Sequence, residues 1–276
     1  MYNWYVIVCK KGEIMRILIS NDDGIQSRGI EALVKALCPD HEVIVAAPAG
    51  QQSAKAHAIT VRDRLYVEHY QPLEAQYGIQ AFSITGTPAD TVKLYIEGII
   101  RREKALLPDL VISGINDGSN LGTDILYSGT VGAATEGFVQ GLDSLAVSLE
   151  YNAGYAFDFV AKCVAYKLPE LLADRVDKSD KSVKQDRLLL NINFPQTLAP
   201  DYKWVWCRQG VRDYCNAYER QQAEDGRIFY TVGGTPLVTG NSDDTDVAVT
   251  CRGDIAITPL KLDKTDFSVL QSRAGV

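Results

Sequence analysis

The feature that most constrains this chain is a series of short apolar runs with no polar alternation, set apart by segments of helical spacing. The runs are Ile17 to Ile19, Val43 to Ala47, Ala81 to Ile84, Leu110 to Ser113, Leu145 to Leu149 and Leu188 to Ile192. A strand with one wet face alternates, so a run that does not alternate is buried on both faces and needs helices above and below its sheet. Between the runs, Ile30, Leu33, Val34 and Leu37 repeat at helical spacing, as do Val92, Tyr95, Ile96 and Ile99, then Val131, Ala134, Thr135 and Phe138. Residues 157 to 172 carry the same period. Strands that alternate with helices predict an α/β fold, a mostly parallel sheet wound with helices on both faces.

In such a sheet, ligands sit outside the carboxyl ends of the strands, so the loops after the runs are where chemistry is expected. Asn21, Asp22, Asp23 and Gly24 follow the first run directly. For an isolated NDDG a plain turn is as good a reading, because Asn, Asp and Gly all favour turns. The second loop, PAGQQSAKAHAIT, carries Ser53 and alone reads as an ordinary solvent loop. In TGTPAD, Thr87 suits an N-cap, Pro88 the first helical position and Asp90 the first turn. The fourth loop, GINDGSNLG, carries Asn116, and the helix after it begins with Ser128, Gly129 and Thr130. Free N–H groups make that start a natural anion seat, although the same residues serve equally as caps.

The net charge of -7 argues against a general binder of nucleic-acid polymers, which needs clustered Lys and Arg. Six cysteines without CxxC spacing suggest neither a zinc knuckle nor a disulfide framework, and fit a reducing cytoplasm. No segment is long and apolar enough to predict a membrane span. The first fourteen residues, MYNWYVIVCKKGEI, reverse the charge order of a signal peptide and are expected to be a dispensable extension, with translation able to start at Met15. The charged run at 173 to 187 reads as a solvated connection. From Tyr202 the character changes to aromatic and β-branched runs, YKWVW and RIFYTV, which look antiparallel and suit an extension that packs on a second subunit. The expected organisation is an extension at 1–14, a catalytic core at 15–201 and an oligomerisation extension at 202–276.

In a doubly wound sheet the four loops crowd one edge, so Asp22, Asp23, Ser53 and Asn116 can meet. Two carboxylates with neutral oxygen donors suit a hard divalent cation, Mg²⁺ or Mn²⁺, and the lack of neighbouring His or Cys argues against zinc. The chain has no GxxxxGK[ST] and no EF-hand spacing.

ISNDDGIQSRGI, QQSAKAHAIT, TGTPADTVKL, VISGINDGSNLGTDILYSGTVGAATEG, LLLNINFP and DIAITPL occur in this order from Met15 to Leu260. With these motifs the chain resembles the SurE survival-protein family, metal-dependent nucleotidases acting on nucleoside monophosphates. The resemblance implies a Rossmann-like core, and a C-terminal β-rich extension that exchanges strands to give a homodimer or homotetramer. It places one divalent cation per subunit on Asp22, Asp23, Ser53 and Asn116. It implies phosphomonoester hydrolysis; the residues themselves suggest Asp22 or Asp23 to accept the proton of the attacking water, and Asn21, Ser128, Gly129 and Thr130 to contact the phosphate. Activity on 3'-nucleotides or short polyphosphate fits the same pocket; a non-catalytic nucleotide-binding module and a sugar-nucleotide transferase are the competing classes. Two positions depart from the family pattern: Ala49 stands where an aspartate is usual, and Thr91 where a cysteine is usual. His57 matches only some members and is expected to be structural rather than a general base.

Overall fold

The computed structural model describes residues 14–173, 187–237 and 240–274. The N-terminal extension up to residue 13 and almost all of the charged connection lie outside the described residues. In chain order the elements are β1 (Arg16–Ser20), α1 (Arg28–Leu37), β2 (Glu42–Pro48), β3 (Val67–His69), α2 (Gln71–Tyr77), β4 (Gln80–Ile84), α3 (Pro88–Leu94), β5 (Leu110–Asp117), α4 (Gly129–Val139), β6 (Asp143–Leu149), α5 (Phe157–Ala173) and β7 (Leu189–Phe194). Beyond them come β8 (Trp204–Trp206), β9 (Asp213–Cys215), β10 (Tyr218–Gln222), β11 (Ile228–Val232), β12 (Thr235–Leu237), α6 (Asp246–Cys251), β13 (Ile255–Pro259) and α7 (Phe267–Ala274).

Nine strands form one sheet in the order β3-β4-β2-β1-β5-β6-β7-β13-β8. The pairs from β4 through β7 are all parallel, with Ile17 opposite Val43 and Leu110, and Leu145 opposite Leu190. From β1 the chain winds outward through β2 and β4, then returns to lay β5, β6 and β7 on the other side. The junction of β1 with β5 is therefore the switch point of the winding, where a crevice opens at the carboxyl edge.

Burial follows the apolar runs. Ile17, Leu18 and Ile19 are fully buried, Ile17 and Ile19 in a core shared with α1 and α5, and Leu18 in one on the opposite face beside Val92 and Ala133. Each helix start is fixed locally: Ser27 accepts from the Ile30 N–H at α1, and Thr87 with Asp90 forms a reciprocal capping box at α3, as TGTPAD predicts.

The sheet does not stop at residue 201. β13 pairs antiparallel with β7 and parallel with β8, so Trp204–Trp206 and Ile255–Pro259 complete the central sheet from the far side of the expected boundary. Among the described strands, β9 to β12 stand apart as an arm of two small antiparallel pairs, as RIFYTV suggested, whereas YKWVW, expected to be antiparallel, supplies β8 and pairs parallel with β13 because it completes the edge of the central sheet.

Candidate functional site

The turn after β1 is held from three directions. The Asn21 amide bonds both Gly24 and the Ser27 hydroxyl, which ties the turn to the start of α1. The Ile25 N–H donates to Pro48 at 2.8 Å, and the Gln52 N–H to the Asp22 carbonyl at 2.7 Å, so the turn and the Ser53 loop are locked side by side. Gly24 has φ +97°, and a Cβ there would stand 3.1 Å from the Gly50 backbone, which is why this position needs glycine.

Asp22 is buried and points at the start of α4. It accepts from the Thr130 hydroxyl and from the N–H groups of Thr130 and Gly129. Burial pushes its pKa up, and those donors pull it back. A Cβ on Gly129 would lie 2.8 Å from the Asp22 Cβ, so glycine permits this approach. Ser128 caps the same helix by accepting from the Val131 N–H. The structure thus brings Ser128, Gly129 and Thr130 to the acidic turn, with the helix N-terminus facing the Asp22 carboxylate.

Asp23 turns toward β5, where its Oδ2 accepts from the Asp117 N–H at 3.2 Å. Its pKa is pushed up to about 6, first by burial and then by the neighbouring charges of Asp22 and Asp117. Asn116 lies at the irregular end of β5 and donates its amide N–H to Gly118 at 2.7 Å. With the amide nitrogen so engaged, its Oδ1 is left as an acceptor. That irregularity depends on Gly114, at φ +142°, where a Cβ would sit 2.3 Å from the Val147 carbonyl oxygen.

The loop past Asn116 is held by a buried amide network. Asn120 donates to Ser148 and to Asn193, and its carbonyl receives both the Asn191 and the Asn193 side chains, which gives the two asparagines of LLLNINFP their role. Arg212 reaches back from beyond β8 to Ser119 and Asp124, so a residue on the arm side of the chain supports the same loop.

On the opposite flank the Ser53 loop is strapped to α4. The Ala56 N–H donates to the Tyr127 carbonyl, His57 Nε2 lies 2.7 Å from Glu136 Oε2, and Thr60 bonds both oxygens of Asp90. Glu136 is buried; although burial raises its pKa, His57, Gln140 and Lys93 together hold it below the usual carboxylate value. His57 is thereby engaged by the buried Glu136 carboxylate. Thr91 is structural in its contacts, fully buried between Ser20 and the Pro88 carbonyl.

A cleft of about 470 Å³ adjoins the acidic turn on the α1 and α5 side, lined by Arg28, Asp117, Glu150, Tyr155 and Phe157 among others. Arg28 is stacked over the Phe157 ring at 5.4 Å. No group of three or more His, Cys, Asp or Glu that could hold a metal occurs among the described residues. The candidate donors are therefore two adjacent carboxylates supplemented by neutral oxygens, a set suited to a hard cation with waters completing its shell.

A family profile described as Survival protein SurE matches residues 17–216. The chain belongs to the SurE family. It is 40% identical over 258 residues to the 5'-nucleotidase SurE of Pelotomaculum thermopropionicum, covering 93% of each chain. It is likewise 40% identical over 261 residues to the 5'-nucleotidase SurE of Syntrophomonas wolfei, covering 93% of this chain and 92% of that one. The crystal structure of the SurE protein from Aquifex aeolicus superposes with a TM-score of 0.76 at 32% identity, covering 94% of this chain and 98% of the other. The α/β fold read from the sequence is therefore the SurE fold. Sequence reasoning passed over Asp117, although it lies beside Asn116 in SGIND, and Glu136, although it lies in the ATEG end of the same motif, because its partner His57 is distant in the chain.

Proposed function

We propose that this protein hydrolyses nucleoside 5'-monophosphates to nucleoside and phosphate with the help of one divalent cation, Mg²⁺ or Mn²⁺. The observation that carries the reading is the meeting of Asp22 and Asp23 with the Asn116 loop at the switch point of the sheet, beside the start of α4. The names of the SurE relatives give the reaction. Asp22, Asp23, Ser53 and Asn116 would hold the cation; burial raises the pKa of both carboxylates, the Asp22 charge adds to it at Asp23, and a cation would favour the ionised forms.

When bound, the cation supplies positive charge against the phosphoryl oxygens and acidifies the attacking water. The chain's own residues do the rest. The Thr130 hydroxyl and the N–H groups of Gly129 and Thr130 orient the Asp22 carboxylate. Asp23, partly reached by solvent, is the better placed of the two to take the water's proton. Asn21 holds the turn in shape, and the start of α4 offers its dipole to the phosphate.

We also assign the arm β9 to β12 to self-association as a dimer or tetramer, because it exposes Tyr218, Ile228, Phe229, Tyr230 and Val232. The cytoplasm is the proposed compartment, supported by the free thiols of the described cysteines. Phosphate release from 5'- and 3'-nucleoside monophosphates and tripolyphosphate, with EDTA and then with added Mn²⁺ or Mg²⁺, tests the reading. Turnover of the 5'-nucleotides that EDTA abolishes and Mn²⁺ restores is the expected result; turnover unaffected by EDTA would defeat the metal assignment, and no turnover would defeat the reading.

A further inference from the structure

An aromatic ring leans on the loop that carries Asn116. The Asn116 amide fixes the Gly118 carbonyl, and the Gly118 N–H donates to the Leu149 carbonyl at 2.7 Å, which binds the loop to the end of β6. Two residues beyond that strand, Tyr151 folds back over Gly118. Its Cε2 and Cζ lie 2.7 Å from where a Cβ at 118 would stand, and Gly118 has φ +131°, so any side chain there would displace the ring.

The backbone of Tyr151 is fixed as well. Its carbonyl accepts from Gln196 Nε2 at 3.1 Å, and its N–H reaches Glu150 Oε1 at 3.2 Å. Yet the residue is 61% exposed. Burial first, then the charges of Asp117, Asp23 and Asp22, raise the pKa of its phenol. The ring thus covers the loop whose Asp117 N–H binds Asp23, while much of it meets solvent.

An exposed tyrosine by itself is ordinary. Tyr151 differs in standing beside the carboxylates that would organise the phosphate, on a loop with little freedom to move. The surrounding carboxylates repel a second anionic group, and the arginine bonded to that loop, Arg212, is committed to Ser119 and Asp124. A nucleobase is neutral and has a π-face, and stacking on an aromatic side chain tolerates any base. We propose that Tyr151 is the platform on which the substrate's nucleobase stacks while its phosphate is held at Asp22 and Asp23, which makes it a specificity-determining residue that favours nucleotides over esters without a base. The proposal rests on the nucleotidase reading and adds to it how the non-reacting part of the substrate is recognised.

The test compares the full-length parent protein with Tyr151→Ala and Tyr151→Phe, all with Mn²⁺, measuring kcat and KM on adenosine 5'-monophosphate and on ribose 5-phosphate. Ala should lower kcat/KM for the nucleotide by about 5- to 150-fold, the range that follows from the stacking of one base. Phe should keep parent values, and neither variant should change turnover of ribose 5-phosphate, which also serves as the control for folding. Equal losses on both esters would overturn the proposal, since Tyr151 would then support the phosphate site. So would an unchanged Ala variant, a Phe variant as impaired as Ala, or a parent protein that handles both esters equally well. A parent protein that splits neither ester refutes the nucleotidase reading and this proposal together, an outcome separate from any behaviour of the variants.

Discussion

Replacing Asp23 by Asn should make the metal-free protein more stable while weakening its hold on the cation. The folded value near 6 lies above the ordinary 3.8, so the ionised Asp23 is disfavoured by the fold. The sign follows from linkage: the contribution from this group is fully present below 3.8, where it is protonated in both states, and is lost as pH rises through about 6. At neutral pH the metal-free fold therefore carries a cost. A rise of this size corresponds to roughly 3 kcal/mol, and because solvent reaches Asp23, screening reduces it to about 1 to 2 kcal/mol. Asn keeps the volume without the charge. Urea unfolding at pH 7.5 with EDTA should show D23N about 1 to 2 kcal/mol more stable than the parent. Calorimetric titration with Mn²⁺ should show it binding at least about tenfold more weakly, one ligand charge having been removed. Parent affinity should also fall as pH drops from about 6, because the proton competes with the cation for Asp23. A D23N protein no more stable than the parent without metal, or one that binds Mn²⁺ equally well, would refute the reasoning.

Three further predictions concern the scaffold. Gly29→Ala should destabilise the protein by about 1 to 3 kcal/mol in thermal melting, since its Cβ would fall 2.0 Å from the Ile115 carbonyl oxygen and drive α1 off the end of β5. His57→Ala should cost about 1 to 3 kcal/mol in urea unfolding by taking one partner from the buried Glu136, while His57→Gln recovers part of it. Replacing residues 213–237 with a short Gly-Ser linker should lower the mass seen by light scattering and leave Mn²⁺ binding intact, because the central sheet keeps β8 and β13. An unchanged mass would count against the arm as the means of association.

The parallel strands were legible because each is buried on both faces, as with Ile17 to Ile19 and Leu145 to Leu149, and such runs have few other uses. Short edge structure left no such trace. β3 is exposed throughout and α2 buries only Leu73, so their sequence looks like the polar loop around them. The place of β13 was illegible for another reason: DIAITPL signals a strand, but nothing local tells it to pair antiparallel with β7 and parallel with β8. At the site, residue types could be read and tethers could not. Asp22 and Thr130 are far apart in sequence, and their hydrogen bond depends on the bare Cα of Gly129 as much as on either partner. Asn191 lies inside the sixth apolar run and Asn193 just past it, and nothing in the sequence shows that their side chains hold the Asn120 carbonyl.

The winding around β1 has a consequence for the chain as it is made. Asp22, Asp23 and the Ser53 loop belong to the β1, β2 and β4 wing and leave the ribosome early, whereas Asn116 and the Thr130 helix start arrive with the other wing. A half-synthesised chain, or a fragment cut between the wings, holds the acidic turn without the β5 loop that faces it. Completeness is thus built into the geometry: only a chain whose two wings have met across β1 and β5 can assemble the crevice between the acidic turn and the β5 loop.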